Sequence, residues 1–304
     1  MDPAFSPRQA RFNPYVALAT GVTAISTGAI LVRMADAPAL VIAAYRVGLA
    51  ALMLMPLAIY ASRREIVALK ASEWKIAVLS GLFLSLHFAT WVASLKFTSV
   101  ANSVVLVNTS PVWVGLFAPF VTGEKLRPIM LCSIALSLFG VVVIGIGDAP
   151  SENAALWGDV LALTGGLCAA GYLLMGRRLR QKLSLIAYVS VCYGSSACIL
   201  WCIVIGLHLQ IRGFSTQTVA AFFFMALFPQ LIGHSCYNWA LKYFSTGFVA
   251  VSLLGEPIGA TFLAYILFHE GLTPMKVIGG VIIMAAIYLA AVSENRVQAT
   301  ITRS

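Results

Sequence analysis

Apolar stretches of about 20 residues, each long enough to cross a hydrocarbon core of roughly 30 Å, recur along this chain almost from end to end. Reading each run to its breakers gives ten spans, 14–34, 39–61, 74–95, 99–121, 128–147, 155–176, 184–206, 218–241, 247–268 and 275–292. A backbone surrounded by lipid must bond to itself, so spans of this length are helices. The expected fold is therefore an all-α polytopic membrane protein with ten transmembrane helices. Composition closes off the soluble alternative. Of 304 residues, 60% are apolar and only 10% charged, against about 25% charged in a soluble domain.

The connections are short and carry the punctuation of helix ends. Pro14, Pro38, Pro128 and Pro274 stand at or just before span starts, where a missing N–H costs nothing, and Gly123, Gly147, Gly206 and Gly271 lie near span ends. A net charge of +9 would suggest nucleic acid in a soluble chain, but here the cations sit between spans, where they report orientation and anionic lipid, and no nucleic acid partner is expected. With the N-terminus in the cytoplasm, inside segments hold Arg8, Arg11, Arg63, Arg64, Lys70, Lys75, Lys125, Arg127, Arg177, Arg178, Arg180, Lys182, Lys242, Arg296 and Arg303. Outside segments hold only Arg33, Lys96, Arg212 and Lys276. This asymmetry predicts that both termini are cytoplasmic.

Arg8 and Arg11 before an apolar run ending in Ala35-Asp36-Ala37 mimic a signal peptide. The run is too long for the usual h-region of about 7 to 15 residues, and cleavage would remove a span that the repeat below requires. The six cysteines, Cys132, Cys168, Cys192, Cys198, Cys202 and Cys236, all fall in apolar stretches without C-x-x-C spacing. They read as small reduced core residues, with no disulfide framework, metal site or cofactor expected.

Shifted by 146 residues, the chain matches itself: Leu95 with Leu241, Lys96 with Lys242, Ser99 with Ser245, Val105 with Val251, Pro111 with Pro257, Ala118 with Ala264, Glu124 with Glu270, Leu126 with Leu272 and Pro128 with Pro274. Apolar composition alone gives chance Leu, Val and Ala matches but not the Lys, Pro, Glu-x-Leu-x-Pro series in register. The organisation is then a cytoplasmic segment 1–13, a first repeat 14–147, an external connector 148–154, a second repeat 155–292 and a cytoplasmic tail 293–304. Five spans per half is an odd number, so the halves insert in opposite senses, as in secondary transporters with a midplane site between inverted repeats.

Two five-span halves, Tyr45-Arg46 in span 2, Asn108-Thr109-Ser110-Pro111 and Gly255-Glu256-Pro257 in spans 4 and 9, and the turns Gly123-Glu124-Lys125-Leu126 and Glu270-Gly271-Leu272 resemble the drug/metabolite transporter superfamily with its EamA-type repeats. The aromatic-rich spans and the segment at Trp91 are similar to the bacterial aromatic amino acid exporters of the YddG kind. The resemblance implies ten helices, a central cavity lined mainly by spans 1, 3, 4, 6, 8 and 9, and efflux of small metabolites.

Pro111 and Pro257 break spans 4 and 9 at matching places and free the carbonyls of Val107 and Leu253, which need a polar partner or a wet cavity. They are the candidate gating elements; passive kinks are the other reading. Span 8 carries Gln230, His234 and Asn238 at i, i+4 and i+8, with Tyr237 beside them. Span 3 aligns Phe83, His87 and Trp91, span 1 Thr20, Thr23 and Thr27, and span 6 Thr164, Cys168 and Tyr172. Such stripes either line a cavity or join helices by hydrogen bonds. The candidate substrate-binding set is His87, Trp91, Asn108, Tyr172, Gln230, His234, Tyr237 and Asn238: rings for an apolar wall, polar groups for the ends of an amino acid.

Arg46 and Glu256 are charges well inside spans, each costing at least about 2.5–3.5 kcal/mol at a helix centre if unpaired. Arg46 either reaches Asp36 near the outer interface or caps freed carbonyls; Glu256 either carries a proton or is a structural carboxyl. Trp74, Trp157 and Trp201 fit an interfacial aromatic belt.

Without G-x-x-x-x-G-K-[ST], the chain does not hydrolyse ATP by a P-loop. The expected function is a secondary active or facilitative exporter of small metabolites, chiefly aromatic or other apolar amino acids, working by alternating access in the bacterial inner membrane. An organophosphate or nucleotide-sugar carrier on the same fold requires several cavity cations, and only Arg46 qualifies. An intramembrane protease-like enzyme would use Phe83-x-x-x-His87 and His234-x-x-x-Asn238, but its Glu-Glu motif does not occur and the repeat is left unexplained.

Overall fold

The computed structural model describes residues 12–95, 97, 100–146, 156–269 and 271–302. The segment 148–154 expected as an external connector, the segment 1–11 and Glu270 lie outside the described residues. Ten membrane helices follow one another: α1 (Pro14–Met34), α2 (Ala39–Val67), α3 (Ala71–Ser94), α4 in two pieces (Val100–Val107 and Ser110–Val121), α5 (Pro128–Ile146), α6 (Leu156–Arg180), α7 (Leu185–Gly206), α8 (Thr216–Ala240), α9 in two pieces (Thr246–Leu253 and Gly255–Phe268) and α10 (Pro274–Thr302). Nine are long and apolar enough to cross a membrane among the described residues; the tenth, α4, has a shorter apolar run at Val105–Val121. The all-helical ten-span fold expected above is the fold observed.

Local chemistry sets the starts. Asn13 accepts from the Tyr15 N–H with Pro14 at the first helical position. Ser184, Ser215 and Ser245 each accept from the N–H three residues on, at 3.2, 3.2 and 3.3 Å, capping α7, α8 and α9. Glu73 reaches back to the Lys70 N–H at 3.0 Å and starts α3 before the expected residue 74. Two ends differ from expectation: α2 continues through a π turn at Ala58–Ser62, just after Pro56, to Val67, and α10 carries the expected tail as helix to Thr302.

Packing repeats between halves. The contact of α3 on α6 is matched by α8 on α1, α4 on α6 by α9 on α1, and α7 on α3 by α2 on α8, while α2 pairs with α7 and α5 with α10. Large apolar side chains such as Leu52, Phe120, Leu131, Phe139, Phe262 and Met284 are exposed on the outside, as a lipid-facing surface requires. Cys168 and Cys192 are buried, but Cys132, Cys198 and Cys202 are on this exposed surface rather than in the core. Trp201 is not a belt residue: its ring meets that of Tyr45 edge-on at 5.0 Å, inside the α2–α7 contact.

At the end where α1 begins and α10 ends, polar groups tie the halves together. Arg177 at the end of α6 donates to Glu124 at 2.6 Å and to the Leu241 carbonyl at 2.6 Å, and Glu124 also accepts from the Thr246 N–H at 2.9 Å. Glu65 accepts from the Ser184 backbone and hydroxyl at 2.6 and 2.5 Å, and Glu294 accepts likewise from Ser245 at 2.8 and 2.5 Å. The Glu124 turn noted in the repeat is thus a clasp. Its side chains are only 7% and 14% exposed, so removing one partner strands a charge at about 3–5 kcal/mol.

Candidate functional site

The breaks in α4 and α9 set the site. Proline at 111 and 257 cannot bond back to residues 107 and 253, so each helix restarts after the gap, with Pro111 and Pro257 in the first turn of the second piece. Val107 and Leu253, whose carbonyls lose that bond, both line a cavity of about 100 Å³, room for several waters. The rest of its wall comes from both halves: Ile25 and Ala29 of α1, Arg46 of α2, His87, Phe88 and Trp91 of α3, Asn108 and Ser110 of α4, Ala169, Tyr172 and Leu173 of α6, His234 and Tyr237 of α8, and Glu256, Pro257 and Ala260 of α9.

Arg46 is 4% exposed and reaches neither Asp36 nor a freed carbonyl. Its Nε donates to Gln230 Oε1 at 3.0 Å, its Nη2 to His234 Nε2 at 3.0 Å, and its guanidinium lies over the Phe88 ring, 4.1 Å from the centroid. Arginine has donors only, so Nε2 of His234 must be an acceptor. The imidazole is then neutral with its hydrogen on Nδ1, which donates to the Tyr237 hydroxyl oxygen. His87 is fixed by a similar argument: Nδ1 lies 2.9 Å from the Gly165 carbonyl and must donate to it, which leaves Nε2 as an acceptor in the neutral ring. The His87 and Trp91 rings stack nearly parallel, 6.1 Å between centroids.

Of the expected binding residues, His87, Trp91, Asn108, Tyr172, His234 and Tyr237 come together on the cavity, as do Arg46, Glu256 and Pro257. Gln230, Asn238 and Pro111 stand behind the wall. The reason in α8 is a π segment, Ala226–His234, containing Pro229; its wider turns break the 3.6-residue stripe. Gln230 is turned onto Arg46, and the Asn238 amide donates to the Tyr172 hydroxyl. The threonines of α1 bond back to their own helix, Thr20 to Val16, Thr23 to Ala19 and Thr27 to Ala24. Phe88 escaped the stripe argument because it lies one position off the 83, 87, 91 series; only its adjacency to His87 pointed to it. Two buried donors at the site lack partners among the described residues, the Trp91 indole N–H and the Gln230 amide. Each such orphan costs about 1–3 kcal/mol.

Residues 13–146 and 156–292 each match the EamA-like transporter family. The chain is 28% identical over 262 residues to an uncharacterized transporter of Archaeoglobus fulgidus, covering 84% of this chain and 88% of that protein. It is 26% identical over 220 residues to a probable amino-acid metabolite efflux pump of Salmonella typhimurium, covering 69% and 74%. A solved crystal structure superposes with a TM-score of 0.79 at 16% identity, covering 94% of this chain and all of the other, and shows the same fold.

Proposed function

The chain belongs to the EamA-like transporter family, and on that premise we propose that it exports small metabolites, chiefly amino acids with aromatic or other apolar side chains, by alternating access across a bacterial inner membrane. One observation carries the reading. The cavity lies at the paired breaks of α4 and α9, and rings from both halves, Phe88, Trp91, Tyr172 and Tyr237, wall it. A transport site belongs between repeats at interrupted helices, where backbone carbonyls can face a polar cargo, and aromatic walls suit a flat apolar side chain. The efflux-pump names of relatives support the same cargo class. The two halves act as inverted repeats, with Pro111 and Pro257 as the gating elements.

Counterflow of each labelled amino acid into liposomes carrying the purified protein tests this. Aromatic and large apolar amino acids are expected to exchange fastest; exchange of none of the twenty would refute the cargo. Orientation is tested separately with Ser6→Cys and Asn153→Cys in a background without native cysteines. On intact cells, an impermeant thiol reagent should label position 153 and not position 6, and the reverse pattern would overturn cytoplasmic termini.

A further inference from the structure

The cavity's shape comes from both halves, but its charge comes from two side chains. Among the described residues lining it, Arg46 is the one guanidinium or ammonium and Glu256 the one carboxylate group. The two charges act on each other electrostatically. Arg46 is held by Gln230 behind the wall, by His234 within it and from one face by Phe88, and these neutral partners orient it without cancelling its charge. In the same wall, the Trp91 indole is 7% exposed and its N–H has no acceptor among the described residues. The adjoining Gln230 amide is fully buried and its N–H groups also lack one. Gln230 stands behind the wall, so the Trp91 N–H is the unpartnered donor on a residue of the wall itself. Glu256 also lines the cavity, from the first turn of the second piece of α9.

We propose that the Arg46 end of the cavity docks a free carboxylate, with the Trp91 N–H as its second donor, and that Glu256 takes the ammonium of the same cargo. This deepens, and in its ammonium half rests on, the amino acid reading above. A carboxylate is chosen over a neutral amide because only an anion matches the Arg46 charge. It is chosen over a phosphate because a dianion would face one cation and be repelled by Glu256. The cargo therefore sits in one orientation, acid toward α2 and amine toward α9, with its side chain among the rings.

Ligand-induced shifts in thermal unfolding of the purified protein in detergent test the site without requiring flux. The probes are L-phenylalanine, its carboxamide, its N-acetyl derivative, phenethylamine and phenylacetate. L-Phenylalanine is expected to bind best, the carboxamide and phenethylamine at least about tenfold more weakly, and phenylacetate measurably. Trp91→Phe keeps a ring but loses the N–H. It should weaken phenylalanine and phenylacetate about tenfold while leaving the weak carboxamide shift unchanged, and Trp157→Phe on the exposed surface should change none of them. Equal binding of acid and carboxamide, equal loss of both in Trp91→Phe, or no binding by any probe overturns the carboxylate site. Binding of phenylacetate that depends on the Trp91 N–H, with no amino acid flux in liposomes, upholds the carboxylate site and overturns the amino acid reading instead.

Discussion

The breaks in α4 and α9 occupy the same place in the repeat, yet they are held open differently. At the first, Gly166 lets α6 approach the backbone so closely that an added Cβ would lie 2.7 Å from the Val107 carbonyl oxygen. The break itself is neutral: Thr109 donates to Leu106 at 2.7 Å and accepts from the Trp113 indole at 3.2 Å. At the second, Ser26, where α1 is itself interrupted, shares its hydroxyl between the carbonyls of Val22 at 2.9 Å and Glu256 at 3.3 Å. Glu256 then begins a helix, where the positive end of the backbone dipole favours a carboxylate. Ser110 stands at the matching register of α4, and α7, the repeat partner of α2, has no counterpart of Arg46. The two halves thus share the helix break but not the cavity charges. A second carboxyl at position 110 would leave the cavity with a net negative charge.

The largest effect that would break this comparison comes from exchanging its charged member. Glu256→Gln should reduce counterflow by more than about tenfold, whereas Ser110→Ala should stay within about twofold; similar losses from both would mean the two breaks are chemically equivalent. Packing gives the next contrast. Gly166→Ala drives a methyl group onto backbone and should destabilise the protein by about 1–3 kcal/mol, read as a lowered unfolding temperature. Gly259→Ala meets only the Ser26 side chain, its Cβ as well as its Oγ, so pairing it with Ser26→Gly should recover stability; failure to recover would place the obstruction in backbone there too. Smaller still, Pro111→Ala and Pro257→Ala should each slow exchange several-fold with little change in half-saturating concentration, because the bond restored opposes movement rather than binding. Unchanged exchange in both variants would make the prolines passive kinks. The mildest test converts one break toward the other: Asn108→Leu, which copies Leu254, should change the half-saturating concentration by no more than about threefold if Glu256 carries the asymmetry. A larger change would assign Asn108 a direct share in holding cargo.

How far the sequence could be read follows the range of the interaction involved. Apolar runs, proline starts, glycine ends and the Glu124 turn act within a few residues or recur in register, and the spans and the two breaks followed from them. The broken carbonyls could be located because a proline's effect on the residue four positions back is local. Arg46 could not be paired, since its partners Gln230 and His234 lie more than 180 residues away on a helix with irregular pitch. The same irregularity defeated the i, i+4, i+8 stripe in α8, where 3.6-residue spacing does not hold through Pro229. Trp201 was misread because a tryptophan near a span end has the same local signature whether it meets lipid or, as here, Tyr45.

The wide turns of α8 also bear on how such carriers change over generations. A π segment is what a helix makes of one surplus residue, and such segments are often found at functional sites. Removing a single codon between positions 226 and 229 would let this stretch wind back to ordinary pitch, so the helix could absorb the loss without giving up its span of the bilayer. The rest of the scaffold would hardly register the deletion, but Gln230 and His234, which lie inside the segment, would change their facing toward Arg46. A one-residue change in length at this point would thus alter what holds Arg46 without redesigning the fold.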